Sequence, residues 1–141
     1  MLTLAAVAAL AFAAATVLPL PSEAALLAAW HGGSPLLLLW AAATVGNTAG
    51  ALLMMALGAS ALRWPWLSAR MAAPRTRFRP WVQRFGAPSL VLAWVPAVGD
   101  ALPVLAGLLG VPWRRALLWL ALGKGGRYAV VLATAERLGA A

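Results

Sequence analysis

The sequence predicts an all-α integral membrane protein. Its expected plan is an inverted repeat of two re-entrant helical hairpins, each followed by a transmembrane helix, with a basic interfacial segment between. Three observations lead there. Hydrophobic residues make up 64% of the 141 residues and charged residues only 10%, where a soluble domain carries about 25% charged residues. The chain also matches itself without a gap at an offset of 77 residues: Pro19 falls on Pro96, Glu23 on Asp100, Gly33 on Gly110, Pro35 on Pro112, Gly46 on Gly123 and Asn47 on Lys124. Pro and Gly punctuate backbone, so these coincidences outweigh the many alanine matches. Finally, the arginines cluster between hydrophobic stretches, as they do in cytoplasmic loops.

The elements follow in order. Residues 2–17 form an apolar helix of about 24 Å at 1.5 Å per residue. It looks like a secretion signal but has no basic start, and cleavage would destroy half of the repeat. Pro19 and Pro21 break it. Residues 24–30 are apolar but too short to span a core of about 30 Å. His31 to Ser34 is a turn, with His31 read as solvated. Pro35 then opens a helix over residues 35–59 that is long enough to cross. Between Arg63 and Arg84 lie six arginines with Trp64, Trp66 and Trp81 interleaved. Pro65, Pro74 and Pro80 forbid one long helix there, so short helices on the membrane surface are expected, with indoles at headgroup depth.

The second half repeats the first. Residues 85–95 read as a short apolar helix, and Pro96 to Asp100 as a break containing Gly99. Residues 101–109 form another short helix. Gly110 to Pro112 turns, and residues 113–134 span. The whole chain is one membrane domain over residues 1–141, with repeats at about 2–60 and 85–137 and a basic linker at 61–84. No short helix spans alone, so each pair reads as a re-entrant hairpin with its break inside protein or beside water. With that topology, the eight arginines from Arg63 to Arg115 share the cytoplasmic side and the repeats are inverted. If each pair were one kinked span, Arg114 and Arg115 would face the other way.

Candidate chemistry gathers at the breaks. Glu23 and Asp100 sit at the two hairpin tips. An acid at mid-membrane costs about 2.5–3.5 kcal/mol on insertion scales, so it needs a partner, water or a proton. Lys124, Arg127 and Tyr128 share one face of the last helix, and Asn47 is the counterpart of Lys124. The cations suit an anionic headgroup; Glu23 and Asp100 suit proton coupling. Gly46 to Gly50 forms a small-xxx-small face for close helix contact, and Gly123, Gly125 and Gly126 can do the same.

Composition excludes other classes. The net charge is +8 and the pI about 12.0, yet the basic residues are not on a soluble surface, so nucleic acid is not the partner. There is no cysteine, hence no thiol chemistry. No nucleophile–base pair, metal-ligand spacing or phosphate loop appears. The expectation is a non-enzyme with no cofactor or metal, whose partners are membrane lipids with anionic or lipid-phosphate headgroups. A homo-oligomer is compatible with the pattern. Two alternatives stay open: a structural or assembly protein whose charges are internal ties, and an exchanger of small solutes or ions.

Several motifs carry a family resemblance. They are Leu18-Pro19 to Ser22-Glu23, Thr44-Val45-Gly46-Asn47, Arg84-Phe85-Gly86, Leu92 to Asp100, Ala106-Gly107, and Gly123-Lys124 to Arg127-Tyr128. Together they resemble the YqaA-like branch of the DedA membrane proteins, within the group of SNARE-associated Golgi proteins or VTT domains. The resemblance covers about residues 16–134, and the Trp-x-Pro-x-x-Gly-Asp and Gly-Lys-x-x-Arg-Tyr elements are its most specific parts. It implies a multi-pass protein of the bacterial inner membrane with two opposed re-entrant hairpins, and transport of lipid phosphates such as a polyprenyl phosphate, linked to the proton gradient, or lipid scrambling. It also adds Arg84 to the substrate-binding set of Lys124, Arg127, Asn47 and Tyr128. The chain is shorter than the usual DedA protein. The usual arginines beside the second hairpin proline are absent, with Trp94 and Gly99 in that region, where Lys124 and Arg127 can substitute.

Overall fold

The structure is a computed structural model that describes residues 1–16, 21–95, 98–99 and 101–139, and their side chains except those of Met71, Pro74 and Arg75. Pro19, Pro96 and Asp100, all prominent in the sequence repeat, lie outside the described residues. The described chain is helical, without strands. In order come α1 (Leu2–Ala14), α2 (Ser22–His31), α3 (Leu36–Ala61), α4 (Pro65–Ala72), a 3-10 segment (Ala73–Phe78), α5 (Arg79–Phe85), a second 3-10 segment (Ala87–Trp94), α6 (Ala101–Leu108) and α7 (Trp113–Gly139).

Helices α3 and α7 have 26 and 27 residues, about 39–40 Å at 1.5 Å per residue, enough to cross a core of about 30 Å. On α3, the residues Leu39, Ala43, Asn47, Gly50, Met54, Gly58 and Ala61 are buried. They recur every three or four positions, so they form one stripe of the helix. The opposite side is also apolar: Leu37, Val45, Leu53 and Leu57 are exposed, as are Leu117, Leu118, Leu122 and Val130 on α7. A helix in water would place charged residues there. Here glycine, alanine and Asn47 share the inward stripe with Leu39 and Met54, while the outward side is large and apolar, as suits lipid.

The chain divides into two compact units. The first is residues 1–50 with 124–141, and the second is residues 51–123. In the first, Val7, Ala11, Leu26, Leu39, Ala43, Tyr128 and Leu132 form the core. α1 lies directly on α3, because Gly46 and Gly50 leave no side chain between them. A Cβ on Gly46 would stand 2.8 Å from the carbonyl carbon of Ala8, and one on Gly50 would stand 2.8 Å from the Cβ of Ala15. The small-xxx-small face therefore serves close packing of α1 and α3.

In the second unit, Met55, Val82, Leu90, Leu102, Leu105 and Leu120 form the core. Residues 101–107 of α6 are all buried. The α6 backbone meets α3 through two glycines: a Cβ on Gly58 would come 3.1 Å from the carbonyl carbon of Val104, and one on Gly107 would come 3.0 Å from that of Met55. Gly123 is equally close to Val91, whereas Gly126 faces open space. The arginine-rich stretch forms the expected short helices. One sequence expectation is corrected. Residues 85–95 are not one helix: α5 ends at Phe85, Gly86 has φ of 60°, and the chain resumes as a 3-10 segment. Gly86 supplies the left-handed turn, and Pro88 is tolerated only because it falls in the first turn of that segment.

The two helix–turn–helix passages agree residue for residue at the offset of 77. Gly33 and Gly110 have φ of 84° and 69°. The amide of Ser34 bonds Ala29 and that of Val111 bonds Ala106, while Gly33 bonds Trp30 and Gly110 bonds Gly107. Both sets are the Schellman ending of a helix, in which a left-handed glycine satisfies the last carbonyls. Then the Pro35 carbonyl accepts from Leu39, and the Pro112 carbonyl from Ala116, opening α3 and α7. Pro35 thus caps α3 from just outside it.

Candidate functional site

The first unit collects most of the polar residues expected at the site. α7 presents Lys124, Arg127 and Tyr128 at positions i, i+3 and i+4, so they share a face. By the same spacing α3 presents Thr44, Asn47 and Thr48. The first turn of α2 adds Ser22 and Glu23, and Pro21 stands as its N-cap.

Asn47 is the junction. Its Nδ2 donates to the Ala11 carbonyl and to the Tyr128 hydroxyl, each at 2.9 Å. The Ala11 oxygen can only accept, which fixes the amide with its nitrogen on that side. The Tyr128 hydroxyl also meets Ser22 Oγ at 3.0 Å. Because it accepts from Asn47, it has its own proton to give to Ser22. One chain of hydrogen bonds therefore joins α1, α3, α7 and α2 through Ala11, Asn47, Tyr128 and Ser22. Next to it, Arg127 and Glu23 form an ion pair. Trp40 Nε1 donates to the Gly125 carbonyl at 2.8 Å, where the absence of a Cβ brings α7 close to Trp40 and Thr44.

The interior is polar but not saturated. Lys124 is only 4% exposed, and Thr44, Asn47 and Thr48 are 9%, 3% and 5% exposed. Thr44 Oγ1, Asn47 Oδ1 and Thr48 Oγ1 are enclosed without a hydrogen-bond partner. Leaving such an atom unsatisfied costs about 1–3 kcal/mol. Lys124 and Arg127 bring N–H donors into the same unit as these oxygens.

The other expected residues lie elsewhere. Arg84 belongs to the second unit, where it is exposed and sits 5.4 Å over the Phe85 ring. Gly99 is buried in the turn before α6, its amide bonded to the Val95 carbonyl at 2.7 Å. His31 ends α2, exposed, and its Nδ1 meets the Leu27 carbonyl at 2.8 Å. Sequence reasoning missed Ser22, Trp40, Thr44 and Thr48. The i, i+3, i+4 spacing of the last two with Asn47 was legible; the pairing of Ser22 with Tyr128 was not.

Over 128 residues the chain is 36% identical to "Inner membrane protein YqaA" of Escherichia coli (strain K12), covering 86% of this chain and 83% of that protein. The chain belongs to the YqaA family. The protein of the same name from Shigella flexneri matches to the same extent. An "Uncharacterized protein" of Haemophilus influenzae is 34% identical over 95 residues, 64% of this chain and 55% of its own length. No family profile matches the chain, and no solved structure does. The family name and the apolar outer faces of α3 and α7 agree: this is a membrane protein with transmembrane helices.

Proposed function

We propose that this protein moves lipid phosphates, a polyprenyl phosphate or a phospholipid, within the inner membrane, as a proton-linked transporter or a scramblase-like carrier and not as an enzyme. The observation that carries this reading is the cluster of buried Lys124, Asn47 and Tyr128 on α3 and α7, helices long enough to span, with the half-buried Arg127–Glu23 pair beside them. Ionisable residues at membrane depth are costly and mark pathways. Lys124 and Arg127 would hold the phosphate through charge-assisted hydrogen bonds. Thr44, Asn47 and Thr48 would receive hydrogen bonds from the headgroup or its water. Glu23, paired with Arg127, would exchange that partner for a proton as the phosphate takes the arginine. In this proposal the chain is a short DedA-type protein with inverted re-entrant hairpins, and the arginines of residues 61–84 face the cytoplasm.

A second reading is favoured by a specific observation: the Ala11–Asn47–Tyr128–Ser22 chain ties four helices together, which a purely structural network would also do. Reconstitution separates the two. Liposomes carrying the protein and a fluorescent lipid phosphate are followed with and without a pH gradient. Transport predicts movement by the parent, loss of movement in Lys124→Gln and Arg127→Gln with folded protein retained, and gradient-insensitive movement in Glu23→Gln. A structural tie predicts loss of folded protein in both cation variants, because removing one member of an internal pair leaves the other charge uncompensated. No movement by the parent defeats the transport reading.

A further inference from the structure

The second unit has a separate feature that the polar set of the first does not involve. A groove of about 390 Å³ is lined by Arg77, Phe78, Trp81, Leu92, Val95, Val98 and Leu102, within the range of about 300–1,000 Å³ found for ligand pockets. Phe78, Leu92 and Val98 pack on the core of this unit, and Leu102 is part of it, so the apolar wall rests on core residues. Also in the lining are Arg77, its only charged residue among the described residues, and Trp81, 52% exposed.

From these observations we infer that the groove is a binding site for an anionic glycerophospholipid, with one acyl chain along Leu92, Val95, Val98 and Leu102 and its phosphate at Arg77. Charge complementarity sets the sign of the ligand. Residues 51–123 carry eight arginines and one acid, Asp100, which lies outside the described residues. The geometry favours phosphate. The Arg77 guanidinium lies 4.6 Å over the Phe78 ring, a cation–π contact that steadies it and leaves N–H donors for a phosphate fork. Trp81, held edge-on to Phe85 at 5.8 Å, supplies the amphipathic ring that sits at headgroup depth. A free anion would satisfy the arginine but leave the apolar wall unfilled, so the lipid, and not inorganic phosphate, is the ligand.

The test uses the full chain in nanodiscs of phosphatidylcholine. These are doped either with phosphatidylglycerol carrying a diazirine midway along one acyl chain, or with phosphatidylcholine carrying the same labelled chain. After photolysis, labelled peptides are mapped by mass spectrometry. The expected result is labelling within residues 92–102, with phosphatidylglycerol favoured about fivefold, the ratio one basic residue gives near an anionic lipid. Arg77→Gln should bring the two lipids level, Arg77→Lys should keep most of the preference, and Val95→Trp, at a partly exposed lining position, should fill the groove and reduce labelling by both. Equal labelling by the two lipids in the parent overturns the proposal, since it means bulk lipid merely covers an apolar surface. So does a preference that survives in Arg77→Gln, or labelling unchanged in Val95→Trp. The parent comparison and Arg77→Lys decide the matter even where Arg77→Gln fails to fold. Because no transport is measured, the outcome is independent of the function proposed for the first unit.

Discussion

Replacing Gly46 with alanine should lift α1 off α3. A Cβ at this position would stand 2.8 Å from the carbonyl carbon of Ala8 and 2.9 Å from its Cα. Carbon atoms rest at about 3.5–4.0 Å, and the Ala8 carbonyl oxygen would be nearer still, so α1 must retreat by about 1 Å; a gap of about 0.5–1 Å forfeits a quarter to a half of each dispersion contact. The same retreat stretches the bond from Asn47 Nδ2 to the Ala11 carbonyl, now 2.9 Å, beyond useful range, a loss of about 1 kcal/mol. Adding about 1–3 kcal/mol for overpacking gives an expected destabilisation of about 2–4 kcal/mol. Gly126→Ala is the matched control. It lies mid-helix in α7, a Cβ there meets nothing within 4 Å, and helix propensity alone favours alanine by up to about 1 kcal/mol. Thermal unfolding in detergent micelles reads both. Gly46→Ala should melt about 6–15 °C below the parent, and Gly126→Ala at or above it. A Gly46→Ala protein that melts within about 2 °C of the parent, or a Gly126→Ala protein that falls as far, refutes backbone contact as what seats α1.

The remaining expectations concern the turns and the hydrogen-bond chain. Gly33→Ala and Gly110→Ala meet no neighbour within 4 Å, so only the left-handed backbone resists them. Each should cost about 1–2 kcal/mol, with Gly33→Asn costing less. Melting curves that separate the two alanine variants by more than about 2 kcal/mol would break the equivalence of the turns. Tyr128→Phe removes the hydroxyl shared by Asn47 and Ser22 and should destabilise by about 1–2 kcal/mol. In a double-mutant cycle with Asn47→Leu the losses should not add: a coupling of about 0.6 kcal/mol, and up to about 1.7, is expected within a membrane protein. Strict additivity would show that the two side chains do not act through one bond.

How far the sequence could be read depends on what kind of residue carries each feature. The turns were legible because left-handed backbone needs glycine and a helix start tolerates proline. Gly33-x-Pro35 and Gly110-x-Pro112 therefore had to look alike wherever the backbone repeats. The close approach of α1 to α3 was legible through Gly46 and Gly50, and the shared face of Lys124, Arg127 and Tyr128 through helical spacing. The 3-10 segment at Ala87–Trp94 was not recognised. An apolar run has no periodicity that distinguishes it from an α-helix, although Gly86 and Pro88 marked its start.

The partners of Asn47 were beyond sequence reasoning for a different reason. One is the backbone carbonyl of Ala11, which looks like every other carbonyl in an alanine-rich helix. The other, Tyr128, was placed with the cations because it shares their face, while its hydroxyl instead continues the chain to Ser22. The offset nevertheless carried more than it declared. Asn47 and Lys124 coincide at 77 residues, and both belong to the first unit, at 3% and 4% exposure. Asn47 spends its two donors on Ala11 and Tyr128 and keeps an acceptor, Oδ1; Lys124 offers donors and no acceptor. The two equivalent positions thus carry an amide on one helix and an ammonium on the other. Interchanging them as Asn47→Lys with Lys124→Asn preserves net charge and composition. It should still fail to restore the parent's stability, because Asn47 bonds two neutral groups, the Ala11 carbonyl and the Tyr128 hydroxyl, which leave a lysine's charge at position 47 uncompensated. A swapped protein as stable as the parent in the same melts would show that only the charge of the pair matters, not which helix bears it.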